Sequence, residues 1–213
     1  DIKTVTSLGG YAMTAITAIT AQNTIGVQSI YPLPKEKVME PNNSITTDLS
    51  PDIVKIGMLA DLDIIEYISK KISNYKIVLD PVMVATSGDV LVSDEVVSSI
   101  KNNLINKSFL ITPNIYEAEI LSENKINCLE DQIEAGKNLL KLGCKHVLVK
   151  GGHGNSDVIN DVLITSSGDE YIFESKKIIS KNTHGTGCSL ASAIATNIGL
   201  GNDIKESIKI SIE

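Results

Sequence analysis

The sequence predicts an α/β fold in which helices cover both faces of a mostly parallel β-sheet. Short runs rich in β-branched residues alternate with longer segments whose apolar residues recur every three or four positions. Such alternation is typical of βαβ units, whose crossover helices pack on a parallel sheet. With 213 residues and 42% hydrophobic content, the chain can bury the core of one such domain. We therefore expect a single domain over residues 1–213.

Six short runs are predicted to be strands. They cover residues 53–59, 77–84, 109–112, 146–150, 161–165 and 171–174. The turn residues Ser166-Ser167-Gly168-Asp169 separate the last two runs and predict an antiparallel hairpin appended to the parallel strands. Residues 12–20 combine apolar spacing that suits a helix with a Thr and Ile content that suits a strand, and we favour a strand.

Five segments carry the apolar spacing of helices. They cover residues 63–73, 93–105, 115–123, 130–142 and 188–198. Ser93 precedes two acidic residues, as an N-cap does, and Gly143 lies where a glycine commonly ends a helix. The chain starts without Met and ends inside a helix-like pattern, so we expect it to be part of a longer polypeptide.

Composition excludes several classes of function. A net charge of -7 and a pI near 5.0 provide no basic surface for nucleic acid. No apolar run approaches the roughly 20 residues that span a bilayer, and the N-terminus lacks the layout of a secretory signal. Three cysteines without C-x-x-C spacing do not suit a disulfide framework or a structural zinc site. We expect a cytoplasmic protein that acts on a small molecule, with no nucleic-acid or membrane partner.

A glycine-containing loop over residues 181–188 runs directly into an apolar, helix-compatible segment. Gly185 and Gly187 flank Thr186 and allow a sharp turn, while the helix that follows leaves amide N–H groups unpaired at its positive end. Phosphate binds well in such a place. Cys188 would lie in the first turn, where we expect the helix dipole to depress its pKa and let a thiolate accept a substrate proton. The alternative is a helix-opening turn with an ordinary buried cysteine.

Polar residues close several predicted strands. They are Lys55 with Gly57, Asp80 with Pro81, Thr112 with Asn114, and Lys150 with Gly151 and Gly152. Ligands of open parallel sheets bind beyond the carboxyl ends of the strands, so these residues share one edge. Taken singly, Asp80 could form a turn, Asn114 could cap a helix and Lys150 could be a solvated charge. Together with the glycine loop they predict a site for phosphoryl transfer, which needs cations, N–H donors and metal-binding oxygens.

Roles within this site follow from residue chemistry. Asn114 and Glu117 lie on one face of a helix start and can hold Mg²⁺ directly or through water, with Asp80 as a further carboxylate ligand. Lys150 can neutralise a nucleotide phosphate. The chain contains neither a Walker A sequence nor a G-x-G-x-x-G fingerprint. His153 and His184 flank the glycine loops and are predicted to line the site without acting chemically.

The chain resembles the phosphomethylpyrimidine kinases of thiamine biosynthesis, which have a ribokinase-like fold. The resemblance covers essentially all 213 residues and rests on six blocks in the same order as in the family. The blocks are Ala21-Gln22-Asn23-Thr24-x-Gly26-Val27-Gln28, Lys55-Ile56-Gly57-Met58-Leu59, Asp80-Pro81-Val82-Met83 with Ser87-Gly88-Asp89, Thr112-Pro113-Asn114 with Glu117-Ala118, Lys150-Gly151-Gly152-His153 and Asn182-Thr183-His184-Gly185-Thr186-Gly187-Cys188. It implies a three-layer α/β/α fold with a mostly parallel central sheet. It also implies ATP- and Mg²⁺-dependent phosphorylation of 4-amino-5-hydroxymethyl-2-methylpyrimidine and of its monophosphate.

The resemblance also implies individual roles. Gln22 matches the residue that hydrogen-bonds the aminopyrimidine, Met58 packs on its ring, and Asp1 is an acidic residue near the substrate. Thr183 and Gly152 join Lys150, Asn114, Glu117 and Asp80 around ATP. The amides of residues 185–188 hold the transferring phosphoryl group, and Cys188 is the base. Compared with the family, the chain lacks a glycine-rich N-terminal segment and a C-terminal helix, and a homodimer is expected.

Three alternatives remain open. A pyridoxal kinase of the same fold acts on a similar planar, hydroxymethyl-bearing ring. A non-catalytic protein could keep the pocket and transfer nothing. An enzyme that uses Cys188 as a covalent nucleophile would need an activating base, and the sequence does not identify one.

Overall fold

The computed structural model describes residues 1–23, 26–72, 74–84, 91–152, 157–178, 180 and 184–213. The N-terminal part contains helix α1 (Ile2–Ser7), strands β1 (Ala18–Gln22) and β2 (Val27–Pro32), and helix α2 (Lys35–Asp48). Strands β1 and β2 form a separate antiparallel pair. The strand expected over residues 12–20 therefore starts later, since residues 11–17 are irregular. The sequence pattern missed α2 because its residues are mostly polar and include Pro41.

The main sheet contains six strands that are neighbours in chain order. They are β3 (Ile53–Ile56), β4 (Lys76–Leu79), β5 (Leu110–Ile111), β6 (His146–Val149), β7 (Val158–Thr165) and β8 (Glu170–Lys176). Strands β3 to β6 are parallel, while β7 pairs antiparallel with both of its neighbours. The expected hairpin between the last two strands is confirmed.

The helices that follow the strands are α3 (Leu62–Lys71), α4 (Asp94–Asn103), α5 (Ile115–Ser122), α6 (Leu129–Leu140), α7 (Thr186–Gly199) and α8 (Ile204–Ile212), with a short 3-10 helix at Ile105–Lys107. Ser93 is the N-cap residue of α4, as predicted. Helix α6 ends two residues before the predicted boundary, and Gly143 follows it with a φ of 104°. In the described part of the chain, no helix has both the length and the apolar character needed to cross a membrane.

Alternate residues of the central strands point to opposite faces of the sheet. Ile77 and Leu79 join a core that includes residues of α3 to α6, while Val78 joins a second core with Ile194 and Ile208 from α7 and α8. All five side chains are fully buried. The fold is therefore the expected three-layer α/β/α arrangement.

Two predicted strands are shorter than expected at their carboxyl ends. Strand β3 stops at Ile56 and β4 at Leu79, instead of continuing to residues 59 and 84. After β4 the backbone turns, because Pro81 has no N–H to donate and the N–H of Val82 bonds to the carbonyl of Asp80 (2.8 Å). The apolar runs that suggested longer strands thus supply loops at the edge of the sheet.

Candidate active site

Strands β4, β5 and β6 bring Asp80, Asn114 and Lys150 to one edge of the sheet. Asp80 directly follows β4, and its N–H bonds to the carbonyl of Ile56 (2.8 Å). Asn114 and Lys150 form an isolated parallel bridge that prolongs the pairing of β5 with β6. The structure therefore brings together the polar strand ends that the sequence placed on one edge.

Asp80 and Lys150 form a buried ion pair. The Lys150 Nζ lies 2.8 Å from Oδ1 of Asp80, and the same oxygen accepts a hydrogen bond from the Thr112 hydroxyl (3.1 Å). The side chains of Lys150 and Asp80 are 11% and 2% exposed. Burial lowers the pKa of Lys150, but attraction to Asp80, Glu117 and Cys188 outweighs it and leaves this pKa above its usual value. Lys150 is thus a fixed cation rather than a solvated surface charge.

Asn114 and Glu117 form a capping box at the start of α5. The Asn114 side chain accepts from the N–H of Glu117 (2.9 Å), and the Glu117 carboxylate accepts from the N–H of Asn114 (2.9 Å). The other carboxylate oxygen of Glu117 accepts from the N–H of Met83 (3.3 Å). Desolvation raises the pKa of Glu117 to about 7; Lys150 opposes this shift and Asp80 adds to it. The helix-cap interpretation of Asn114 is therefore correct, and the same contacts hold Glu117 beside the ion pair.

The glycine loop leads into the N-terminus of α7. Gly185 is the N-cap residue with a φ of 78°, a conformation that glycine adopts without strain. A Cβ on Gly187 would lie 3.1 Å from the Lys150 Nζ, so the absence of a side chain lets the ammonium approach the helix. Thr186 begins the helix and is exposed. The N-terminal end of α7 and the Lys150 charge thus lie together, as an anion site requires.

The prediction that the helix dipole lowers the pKa of Cys188 is wrong. Burial of the thiol raises its pKa above the usual value, and Asp80, which is also a hydrogen-bond partner, adds to the rise. Lys55 and Lys150 attract the thiolate and lower the pKa, but by less. Desolvation disfavours the charged form of a buried thiol, and here that effect exceeds the two cations. Cys188 lies in the first turn as predicted, but as a thiol at neutral pH.

Lys55 belongs to this site, although its only predicted role was to close a strand. Its Nζ lies 3.1 Å from the Asp1 carboxylate, and its side chain is 11% exposed. A Cβ on Gly57 would lie 3.0 Å from the same Nζ. The Lys-x-Gly sequence at the end of β3 is the signal that could have identified it, because the glycine makes room for the ammonium.

The residues expected to bind the acceptor lie around the same edge. Gln22 is exposed at the end of β1, and its amide nitrogen lies 3.3 Å from Nδ1 of His184. These two residues, Asn23 and Gly185 line an open depression of about 420 Å³. Gln22 is therefore adjacent to the glycine loop, where a phosphoryl acceptor would be held.

Asp1 and Met58 lie near the start of α7 and the end of β3. Asp1 and Ser189 both line a second depression of about 530 Å³. Met58 is half-buried, and its carbonyl accepts a hydrogen bond from the Thr17 hydroxyl (2.9 Å). Asp1 is thus linked to the site through Lys55, whereas contact of the Met58 side chain with a ring remains a prediction.

The second glycine loop follows β6. The N–H of Gly151 donates to the buried Asp161 carboxylate (2.8 Å), and a Cβ on Gly151 would lie 2.1 Å from the carbonyl oxygen of Asn160. Around Gly152 a Cβ would meet nothing within 4 Å. Thr183, His153 and residues 87–89 lie outside the described residues, so their predicted places stay predictions.

The fold and the site together define a class of protein. A mostly parallel sheet between two helical layers, with a glycine-containing helix N-terminus above the strand ends, is the architecture of ribokinase-like kinases. A solved structure of pyridoxal kinase from Staphylococcus aureus in complex with AMP-PCP superimposes with a TM-score of 0.90 and 28% identity, covering 99% of this chain and 78% of that chain.

The chain belongs to the phosphomethylpyrimidine kinase family, whose model matches residues 1–213. It is 41% identical to the hydroxymethylpyrimidine/phosphomethylpyrimidine kinase of Bacillus subtilis, over 99% of this chain and 79% of that protein. The crystal structure of phosphomethylpyrimidine kinase from Clostridium difficile 630 superimposes with a TM-score of 0.85 and 36% identity, covering 99% of this chain and 87% of that chain. The protein is therefore a phosphotransferase.

Proposed function

We propose that the protein transfers the γ-phosphoryl group of ATP to 4-amino-5-hydroxymethyl-2-methylpyrimidine, and then a second phosphoryl group to the resulting monophosphate. The main support is the buried Asp80–Lys150 pair directly beneath the N-terminus of α7. Phosphoryl transfer depends mostly on positioned cations and N–H donors around the phosphate, and this arrangement supplies both. The name of the Bacillus subtilis relative supports the choice of acceptor.

In the first reaction the hydroxymethyl oxygen attacks the γ-phosphorus, the bond from that phosphorus to the β-bridging oxygen breaks, and ADP leaves. The acceptor proton passes to Sγ of Cys188. The amides of residues 185–188 and the Lys150 ammonium stabilise the transferring group. Because the pKa of Cys188 is raised, the thiol must lose its own proton before it can act as this base.

Mg²⁺ would lie beside Asp80, Asn114 and Glu117. Their oxygens are of the type that Mg²⁺ prefers, and the Glu117 carboxylate has no ammonium within ion-pair distance among the described residues. Both oxygens of Glu117 already accept backbone N–H bonds, so we propose that these residues hold the ion through water. No group of three or more His, Cys, Asp or Glu side chains in the described ranges forms a ready-made metal cluster. When bound, the ion would neutralise charge on the ATP phosphates.

Acceptor recognition is assigned to Gln22, Met58 and Asp1. An amide both donates and accepts hydrogen bonds, which suits an aminopyrimidine that offers one group of each kind. The position of Gln22 beside Gly185 supports this assignment, since a ring bound by Gln22 would lie next to the helix that would hold the phosphoryl group. Thr183 and Gly152 are proposed to contact ATP from the two glycine loops.

ADP release with Mg-ATP tests the function, with hydroxymethylpyrimidine, its monophosphate, pyridoxal and no acceptor run in parallel. We expect turnover with both pyrimidines. Pyridoxal kinase is the second candidate, since the Staphylococcus aureus pyridoxal kinase shares the fold closely. Turnover with pyridoxal alone would establish that candidate instead, and pyrimidine binding without ADP release would indicate a non-catalytic protein.

We also propose a cytoplasmic homodimer. The three cysteines are free thiols, which suits a reducing compartment, and the dimer is expected from the family resemblance. Sedimentation equilibrium would test the assembly, and a mass of one chain across the concentration range would contradict it.

A further inference from the structure

The two proposed reactions present the site with chemically different acceptors. The first acceptor is a neutral alcohol that must lose a proton. The second is a phosphate monoester, whose second pKa is about 6, so it carries nearly two negative charges at neutral pH. Its attacking oxygen is already deprotonated, and the second reaction therefore requires a cation for the acceptor rather than a base.

Lys150 is poorly placed to supply that cation. Its Nζ is held 2.8 Å from a carboxylate that is itself 2% exposed, and that pairing must persist because a lone buried charge is costly. Lys150 also lies against Gly187 at the start of α7, where the transferring phosphoryl group is proposed to lie. The Lys150 ammonium is thus already paired with Asp80 and is proposed to contact ATP, so it does not serve the acceptor phosphate.

Lys55, in contrast to Lys150, is paired with a carboxylate that a ligand can displace. Its stem is largely buried on β3, which fixes the ammonium in place, but its partner Asp1 is 46% exposed. An exposed carboxylate can turn into solvent at little cost, because surface ion pairs contribute little. Gly57 leaves space on one side of the Nζ, and Asp1 and Ser189 line the depression beside it.

The fold places Lys55 next to the reacting groups. Strand β3 pairs in parallel with β4, so that Lys55 is opposite Val78, two residues before Asp80. The N–H of Asp80 bonds to the carbonyl of Ile56, the residue after Lys55. Helix α7, which carries Cys188, packs against the same strand.

From this geometry we propose that Lys55 binds the phosphate of the monophosphate acceptor, which displaces Asp1 from the ammonium. This proposal rests on the proposed function and names the residue that adapts the site to its second acceptor. In that reaction a non-bridging oxygen of the monoester attacks the γ-phosphorus of a second ATP and forms the P–O–P bond. The bond to the β-bridging oxygen breaks, ADP leaves with the electron pair, and the acceptor loses no proton.

The test measures kcat/KM for both acceptors in wild-type protein, Lys55→Met, Lys55→Arg and Lys37→Met. We expect Lys55→Met to lower kcat/KM for the monophosphate by about 10- to 100-fold more than for the alcohol, mainly through KM, because a charge-assisted hydrogen bond is lost. Lys55→Arg keeps the positive charge, so its ratio of kcat/KM for the monophosphate to kcat/KM for the alcohol should stay closer to that of the wild-type protein. Lys37 is an exposed lysine on α2, so Lys37→Met controls for the loss of one positive charge.

The reverse selectivity is expected when the base is removed. Cys188→Ala should lower kcat/KM for the alcohol by a larger factor than for the monophosphate, since only the alcohol must lose a proton. If Lys55 acted only by favouring ionisation of Cys188, Lys55→Met would show the same selectivity as Cys188→Ala. If Lys55 binds the acceptor phosphate, the two variants show opposite selectivity. A Lys55→Met variant that mainly impairs the alcohol, or impairs both acceptors equally, would overturn the proposal.

Direct binding gives a readout without turnover. Titration calorimetry without ATP should show weaker binding of the monophosphate to Lys55→Met, with binding of the alcohol changed less. If Lys55→Met does not fold, Gly57→Ala serves as a second variant, because its methyl group would lie 3.0 Å from the Nζ and shift the ammonium. Wild-type protein that phosphorylates neither pyrimidine would refute the proposed function, whereas unchanged acceptor preference in an otherwise active enzyme would refute only the role of Lys55.

Discussion

The ionisation of Cys188 depends on a competition between its position in a helix and its burial. The first turn of α7 and the ammonium groups of Lys55 and Lys150 favour a thiolate, while desolvation and the Asp80 carboxylate favour a thiol. Desolvation is the largest of these effects, so the pKa lies above its usual value. The free protein therefore holds a thiol that ionises only in alkaline solution.

Alkylation of Cys188 by iodoacetamide should accelerate with rising pH, because only the thiolate reacts. We expect the half-maximal rate at a higher pH than for free cysteine, since burial raises the pKa of this thiol. The experiment uses a Cys128→Ser background, because Cys128 is exposed, whereas burial raises the pKa of Cys144 to about 12 and keeps it unreactive. Lys55→Met should shift the profile further upward. A half-maximal rate at or below the pH found for free cysteine would contradict the structure.

The Asp80–Lys150 pair should be essential for stability as well as activity. Removing one partner leaves the other charge buried without compensation, and we expect Lys150→Met to lower the free energy of unfolding by about 3–5 kcal/mol. Urea denaturation measures this change. The double variant Asp80→Asn/Lys150→Met should lose less than the sum of the single variants, and strict additivity would show that the two charges do not interact.

At the scale of secondary-structure elements, the capping box of α5 serves two purposes. It satisfies N–H groups at the helix start and holds the Glu117 carboxylate at the site. The cap of α8 provides a comparison, since the Asp203 side chain accepts from the N–H of Glu206. Helix α8 begins just after the C-terminal end of α7, which lies against Ile53 at the start of β3, whereas the site is at the other end of both elements. Both helices thus have a side-chain N-cap, but only the cap of α5 also positions a carboxylate at the site.

Asn114→Ala and Asp203→Ala should each lower the free energy of unfolding by about 1 kcal/mol, the usual value of an N-cap side chain. We expect ADP release to fall only in Asn114→Ala, by about a hundredfold, because a small displacement of a positioned group has effects of that size. Urea denaturation and the ADP assay are run on both variants. Equal activity in the two would show that Asn114 is only a helix cap.

The loop after β6 requires glycine at one position and not at the next. In Gly151→Ala the methyl group would lie 2.1 Å from the carbonyl oxygen of Asn160, so backbone must shift, and we expect a loss of about 1–3 kcal/mol in the free energy of unfolding. Gly152→Ala is the matched control, because its methyl group meets nothing within 4 Å. Comparable stability of the two variants in urea would contradict this packing.

At the scale of the whole molecule, the site is assembled from elements far apart in sequence. Residues after β3, β4, β5 and β6 and the start of α7 meet at one edge, between the two helical layers. A nucleotide bound at the proposed site would contact several of these elements at once. Its binding should therefore stabilise the folded protein as a unit.

AMP-PCP with Mg²⁺ should raise the free energy of unfolding by about 2.7 kcal/mol at a concentration of 100 times its Kd. Thermal unfolding measured at several ligand concentrations checks this value. AMP at the same concentration lacks the phosphates that would reach Lys150 and α7, and we expect it to stabilise less. Equal stabilisation by AMP would show that the terminal phosphates do not bind at the proposed place.

The sequence predicted the layers of the fold because hydrophobic spacing reports which faces are buried. The central strands and the helices packed on them were found on that basis, within a few residues of their ends. The predictions were wrong where contacts between elements determine the local structure. Strand β4 stops at Leu79 because the backbone turns at Asp80 and Pro81. Helix α2 forms despite a mostly polar sequence that includes Pro41.

The sequence by itself determined the family, the order of the strand-end motifs, and the position of Cys188 in the first turn of a helix. Only the tertiary structure decided the state of these groups: it paired Lys150 with Asp80, buried the Cys188 thiol so that its pKa rises, and brought Lys55 beside Asp1. The physical reason is that spacing along a chain reports local geometry, whereas pKa values and ion pairs depend on burial and on charges that other elements bring near.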